Sequence, residues 1–264
     1  MLHINQFHEL DTNRDRPVLV FLHGLLGNGS DWQEVIHRLD EYPCVVVDLP
    51  CHGNSCNQHP VSFTHTCQLI FNTILSQVGS NRSIIIVGYS LGARLAMFGL
   101  ANGIFDRLNI TGYFLEGGGF GLKDDNERQQ RLINDRRWAE RFKCEPIEQV
   151  LSDWYQQAVF SSLNREQRDE LIGRRAHNKG SAIAEMLVTT SLGNQSYLLD
   201  EIVRTGKPIH YICGEKDMKF FELAKQSRLS FTSIKEAGHN VHKEQPEEFA
   251  QVIRTKLIQL EQTL

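Results

Sequence analysis

The stretch from Ser83 to Arg94, SIIIVGYSLGAR, restricts the fold more than any other part of this chain. Ser83 to Val87 is a β-branched run that reads as a buried strand. Gly88-Tyr89-Ser90-Leu91-Gly92 follows at once, and Ala93 to Met97 reads as the opening of a helix. A G-x-S-x-G between strand and helix is a strained turn that lifts the serine hydroxyl above a sheet. A side chain at Gly88 or Gly92 would collide with the neighbouring strand or helix. The helix N-terminus beyond the serine offers free N–H groups and partial positive charge to a developing anion. By composition alone a bare G-x-S-x-G arises by chance in roughly one chain in ten of this length. The flanking strand and helix, and the partners below, therefore decide its meaning.

The rest of the chain repeats the same rhythm. Val18 to His23, Cys44 to Leu49, Tyr113 to Glu116, Pro208 to Cys213 and Phe231 to Ile234 read as short apolar strands. Ser30 to Leu39, Phe63 to Val78 and Pro246 to Leu260 read as helices. Apolar strands alternating with helices predict an α/β fold, with a mostly parallel sheet covered on both faces. From Phe120 to Leu187 the rhythm breaks. No strand is evident there, and arginine, glutamate and aromatic residues dominate, so residues 120–187 read as a helical lid inserted into a core made of residues 1–119 and 188–264. A length of 264 residues suits one such domain.

A net charge of -4 argues against a nucleic-acid partner. No apolar run is long enough to span a membrane, and the N-terminus lacks a secretory pattern. Six scattered cysteines without a CxxC pair fit reduced thiols and a cytoplasmic protein.

A serine hydroxyl reacts only with an imidazole to take its proton and an acid to orient that imidazole. The order Ser, acid, His is present. Asp217 follows the PIHYIC strand in CGEKD, with Glu215 as a rival acid, and His239 follows the last strand in AGHN. His242 reads as structural. A metal pair from His239 and His242 is not expected, because no HExxH or carboxylate-rich partner accompanies it. Two backbone donors for an oxyanion are expected from Leu91, after the serine, and from Leu25 in the HGLLG loop.

Together the HG loop, the DLPCHGNS segment, the GYSLG elbow, the Asp217 turn and the AGHN loop resemble the α/β-hydrolase fold. Cys51 stands where that DLPGHGxS pattern has glycine, so its φ is expected to suit a residue with a side chain. A narrower resemblance runs through GYSLGAR, LEGGGFGL, DRRWAERF, DWYQQAVFSSLN, ICGEKDMKF and AGHNVHKEQP. These are similar to the 2-succinyl-6-hydroxy-2,4-cyclohexadiene-1-carboxylate synthases of menaquinone biosynthesis. That resemblance implies a cofactor-free lyase that expels pyruvate from a small polycarboxylate, with Ser90, His239 and Asp217 as base and no acyl-enzyme. It also implies substrate contacts from Arg131 and Arg175, at positions matching the family's lid arginines.

Chemistry agrees, because a guanidinium matches a carboxylate fork. Arg94 lies one helical turn after Ser90 and turns back toward the sheet or the cleft. Tyr89 and Trp154 either line the pocket or pack the core. The rival reading is a carboxylesterase or thioesterase using the same triad through an acyl-enzyme, for which an apolar lid is expected. A binding protein on the same scaffold would have lost a triad member. A monomer or weak homo-oligomer is expected.

Overall fold

The computed structural model describes residues 1–8, 10 and 16–261. Among these described residues, seven strands form one sheet: β1 (Ile4–Phe7), β2 (Val18–Leu22), β3 (Cys44–Val47), β4 (Ile84–Tyr89), β5 (Ile110–Glu116), β6 (Ile209–Gly214) and β7 (Ser230–Ile234). Their spatial order is β1-β3-β2-β4-β5-β6-β7. β1 pairs antiparallel with β3, and every other pairing is parallel. The inner strands β2, β3 and β4 are buried at every position, which is why their sequences are apolar without alternation. β1 was not evident in the sequence. Its INQF segment has only its end residues half-buried, so it carries no apolar run.

Helices α1 (Gln33–Ile36), α2 (Phe63–Gln77) and α3 (Leu91–Ala101) belong to the first half of the chain. Next come α4 (Asp125–Cys144), α5 (Ile147–Trp154), α6 (Arg165–Arg175) and α7 (Gly180–Thr189), all between β5 and β6. The last four are α8 (Leu199–Arg204), α9 (Met218–Ser227), α10 (Val241–Glu244) and α11 (Pro246–Glu261). One apolar cluster, including Val20, Ile86, Leu95 and Ile70, fills one face of the sheet. A second, including Phe21, Val87, Trp32 and Phe249, fills the other. A third lies under the inserted helices, where Leu26 of the loop after β2 packs with Phe142, Leu151, Tyr155 and Ile183.

The helix expected over residues 30–39 is shorter. A 3-10 turn at Gly29–Trp32 precedes α1, and Asn28 rather than Ser30 caps it, its side chain accepting from the Ser30 N–H. The reason is a reciprocal cap: the Asn28 N–H bonds Asp31 at 3.3 Å, tying the first turn back to the loop.

Candidate active site

Ser90 sits between β4 and α3 with φ 47 and ψ -103, a strained left-handed conformation for a residue with a β-carbon. Its flanking glycines have little room. A β-carbon on Gly92 would lie 2.2 Å from the Leu22 carbonyl oxygen of β2, and one on Gly88 would lie 2.7 Å from the Ala93 nitrogen of α3. Backbone cannot yield as a flexible side chain can, so both positions are held to glycine. The Ser90 N–H donates to the Glu116 carbonyl at 2.8 Å, fixing the elbow to the end of β5.

Asp217 and His239 stand at the ends of β6 and β7. The Nδ1 of His239 donates to Asp217 Oδ2 at 2.7 Å, with both side chains buried. With Nδ1 so engaged, Nε2 is the nitrogen left for a reacting proton. The His239 ring lies against the turn that anchors Ser90: a β-carbon on Gly117 would be 2.9 Å from its Cε1. Phe220 at 4.9 Å and Tyr89 at 5.3 Å hold the ring from two sides. Glu215, the rival acid, is exposed and accepts from the Glu236 N–H. His242 bonds Glu116 at 2.8 Å in a second buried pair beneath Tyr89, whose ring is 4.6 Å away.

The loop after β2 is built around two histidines, His23 of the HG loop and His52 of the DLPCHGNS segment, to which the motifs alone assign no role. His23 donates from Nδ1 to the Gly24 carbonyl at 2.7 Å and accepts the Leu49 N–H at 2.9 Å. His52 donates from Nδ1 to the Pro50 carbonyl at 2.8 Å and accepts the Leu26 N–H at 3.0 Å. Both roles require neutral rings, and burial pushes His23 down to about 4 and His52 down to about 3. With Leu26 and Gly27 engaged elsewhere, the N–H groups of Leu25 and Leu91 have no protein acceptor among the described residues. Gly24 brings this loop to the elbow, since a β-carbon there would lie 3.5 Å from the Ser90 Cβ.

A cavity beside this loop is lined by Leu25, Asp31, Tyr89, Trp154, Arg175 and Asn240, among others. Tyr89 donates to Asn240 Oδ1. Burial, then Glu116, raises the Tyr89 phenol well above its ordinary value, so it stays a donor. Arg175 Nη2 lies 2.7 Å from both Asp31 oxygens, while its buried Nε has no partner. Burial alone would lower the Arg175 pKa; Asp31 and Tyr155 beside it raise it. Trp154 reaches the cavity and also packs edge-on against Trp138 at 5.0 Å.

The three arginines are not gathered into one ring. Arg94 and Arg131 do not line this cavity. Arg94 Nη1 donates to the Thr190 carbonyl at 2.8 Å and to Gln195 at 3.3 Å, and the guanidinium lies over the Phe63 ring. Burial and then Arg131 lower its pKa to about 9. Arg131 Nε is 2.8 Å from both oxygens of Asp135, which also accepts from Ser191. Lys219, on α9 two residues after Asp217, is a third cation near this pair, held below its ordinary pKa by partial burial and then by Arg131. In the sequence it is marked by its place in the ICGEKDMKF segment, two residues after Asp217.

Cys51 departs from the expectation of a backbone suited to a side chain. It keeps φ 67, the left-handed conformation, because its N–H is engaged by the carbonyls of Ser55 at 3.2 Å and Gln58 at 3.1 Å.

A model of the alpha/beta hydrolase family matches residues 19–252. A 2-succinyl-6-hydroxy-2,4-cyclohexadiene-1-carboxylate synthase of Yersinia pseudotuberculosis is 44% identical over 234 residues, covering 89% of this chain and 85% of the relative. The structure of MenH from S. aureus superposes with a TM-score of 0.89 at 25% identity, covering 99% of this chain and 100% of the other. A thermophilic esterase from Thermogutta terrifontis shares the fold, with a TM-score of 0.79 at 19% identity over 98% of this chain and 93% of its own. The chain therefore belongs to the alpha/beta hydrolase family and, within it, to the family of the 2-succinyl-6-hydroxy-2,4-cyclohexadiene-1-carboxylate synthases.

Proposed function

We propose that this protein is a carbon–oxygen lyase of menaquinone biosynthesis. It eliminates pyruvate from 2-succinyl-5-enolpyruvyl-6-hydroxy-3-cyclohexene-1-carboxylate to give 2-succinyl-6-hydroxy-2,4-cyclohexadiene-1-carboxylate. The observation that carries the reading is the buried Asp217–His239 pair beside a strained Ser90 elbow, in a chain of this family.

Ser90 gives its proton to His239 Nε2 as its Oγ removes the ring proton. Asp217 stabilises the imidazolium and fixes its tautomer. The electron pair left on the ring is drawn toward the succinyl carbonyl, whose oxygen takes up negative charge facing the N–H groups of Leu25 and Leu91. The bond to the enolpyruvyl oxygen then breaks, and the departing enolate takes a proton and leaves as pyruvate. No acyl-enzyme forms. Arg175, Tyr89 and Trp154 contact the substrate from the cavity, and Arg94 and Arg131 supply cationic charge for its other carboxylates. Residues 120–187 act as the lid over this site, on a core of residues 1–119 and 188–264.

No helix among the described residues is long and apolar enough to cross a membrane. All six cysteines are free thiols, which supports a cytoplasmic enzyme, working as a monomer or weak homo-oligomer.

The test is a coupled assay for pyruvate with the enolpyruvyl substrate. Pyruvate released in step with loss of the ring proton is expected. A covalent adduct on Ser90 without pyruvate would replace this reading with the esterase one.

A further inference from the structure

Outside the Ser90 site, three side chains with unlike donor atoms converge. Cys51 lies in the loop after β3, His59 lies farther along that loop, and Glu185 lies on α7. Their donor atoms, one from each residue, all lie within 4.8 Å of one another, the only such group among the described residues. His59 Nδ1 and Glu185 Oε2 are 2.8 Å apart. Cys51 is placed there by its φ of 67, a conformation that a residue with a β-carbon adopts at a cost.

We propose that Cys51, His59 and Glu185 bind a zinc ion. A thiolate, an imidazole and a carboxylate are the donors that zinc accepts in tetrahedral sites. Thiolate and carboxylate together cancel the charge of the ion, so the loaded site is neutral. Binding forms the Sγ–metal bond as the thiol proton leaves to solvent, while imidazole and carboxylate each donate a lone pair. Water takes the fourth position. Bonds of about 2.0 to 2.3 Å hold tetrahedral donors roughly 3.3 to 3.8 Å apart, so the His59–Glu185 pair at 2.8 Å must open slightly while the widest separation, within 4.8 Å, closes by up to about 1 Å. His59 and Glu185 can make that adjustment, because their side chains are 58% and 37% exposed, which also opens a path for the ion.

The site spans two parts of the fold. α7 and its N-cap residue already meet this loop, Lys179 donating to Asn57 at 3.0 Å and Thr189 to the Pro60 carbonyl at 3.4 Å. An ion held by Cys51, His59 and Glu185 staples the last inserted helix to the loop after β3, and binding to the folded state alone raises its stability.

Cobalt(II) is the probe, since a thiolate ligand gives it an intense near-ultraviolet charge-transfer band. The purified full chain is expected to show that band at one cobalt per chain, displaced by zinc, with zinc raising the melting temperature. Cys51→Gly suits the left-handed backbone, and Cys51→Ser is its isosteric companion; both should abolish the band. His59→Ala and Glu185→Gln should each weaken cobalt affinity about tenfold or more. No band, a band that survives both Cys51 variants and so arises at another cysteine, or an affinity unmoved by both His59→Ala and Glu185→Gln would overturn the site.

Discussion

Arg175 on α6 and Asp31 in the turn before α1 form a buried ion pair across 144 residues of sequence, with Nη2 at 2.7 Å from both carboxylate oxygens. The pair joins the inserted helices to the loop that carries Leu25. Asn178 strengthens the joint by donating to the Leu26 carbonyl at 3.0 Å. Asp31 neutralises one edge of the guanidinium, and the unpartnered Nε remains.

Removing one member of such a pair leaves an uncompensated buried charge. Asp31→Asn is expected to lower stability by about 3 kcal/mol, the usual cost for a buried pair. Urea unfolding of the wild type, Asp31→Asn, Arg175→Met and the double variant measures the coupling. The double variant should be less destabilised than the sum of the two single losses; simple additivity would contradict the pairing.

The proposed base requires the serine hydroxyl itself. Ser90→Ala should reduce pyruvate release by at least about a hundredfold, and Asp217→Asn should do nearly the same by favouring the wrong His239 tautomer. Retention of more than a tenth of wild-type turnover in Ser90→Ala would show that another group takes the proton.

Carboxylate recognition separates from triad chemistry by choice of substrate. Arg94→Ala and Arg131→Ala should lower kcat/KM for the polycarboxylate by tenfold or more, while cleavage of a neutral p-nitrophenyl ester changes little. Lys219→Ala belongs in the same comparison, since its ammonium lies close enough to Arg131 for the two to repel. Equal losses on both substrates would mean these side chains only support the fold.

The two histidines that hold the loop after β2 predict acid sensitivity. In the folded protein His23 titrates at about 4 and His52 at about 3, below the ordinary 6.5 of an exposed ring. A depressed histidine favours the folded state above the unfolded pKa, and that contribution fades as pH falls. Stability should therefore decline from pH 6.5 down through about pH 4, by on the order of 3 kcal/mol for His23 if fully expressed. His52→Gln should flatten that decline in pH-dependent urea unfolding. An unchanged slope would show that these rings do not control it.

Much of this molecule is legible without coordinates, for a local reason. The elbow depends on contacts between Gly88 or Gly92 and backbone that must run nearby in any strand–turn–helix unit, so Gly-Tyr-Ser-Leu-Gly after a β-branched run already specifies it. Inner strands buried on both faces must be apolar at every position, which makes β2, β3 and β4 readable as runs. Asp217 and His239 are placed by following strand ends, because loops at the carboxyl edge of a parallel sheet share one side of it.

What the residues alone could not disclose depends on distance in sequence. Nothing near Asp31 marks it as the counter-ion of Arg175, and nothing near His52 marks it as the acceptor for the Leu26 N–H. Arg94 and Arg131 look alike in sequence, yet Arg94 donates to a carbonyl and an amide oxygen and lies over the Phe63 ring, while Arg131 pairs directly with Asp135. Spacing along the chain determined which groups could act; burial and long-range pairing decided which carry free charge, since only packing fixes who is desolvated and by whom each is compensated.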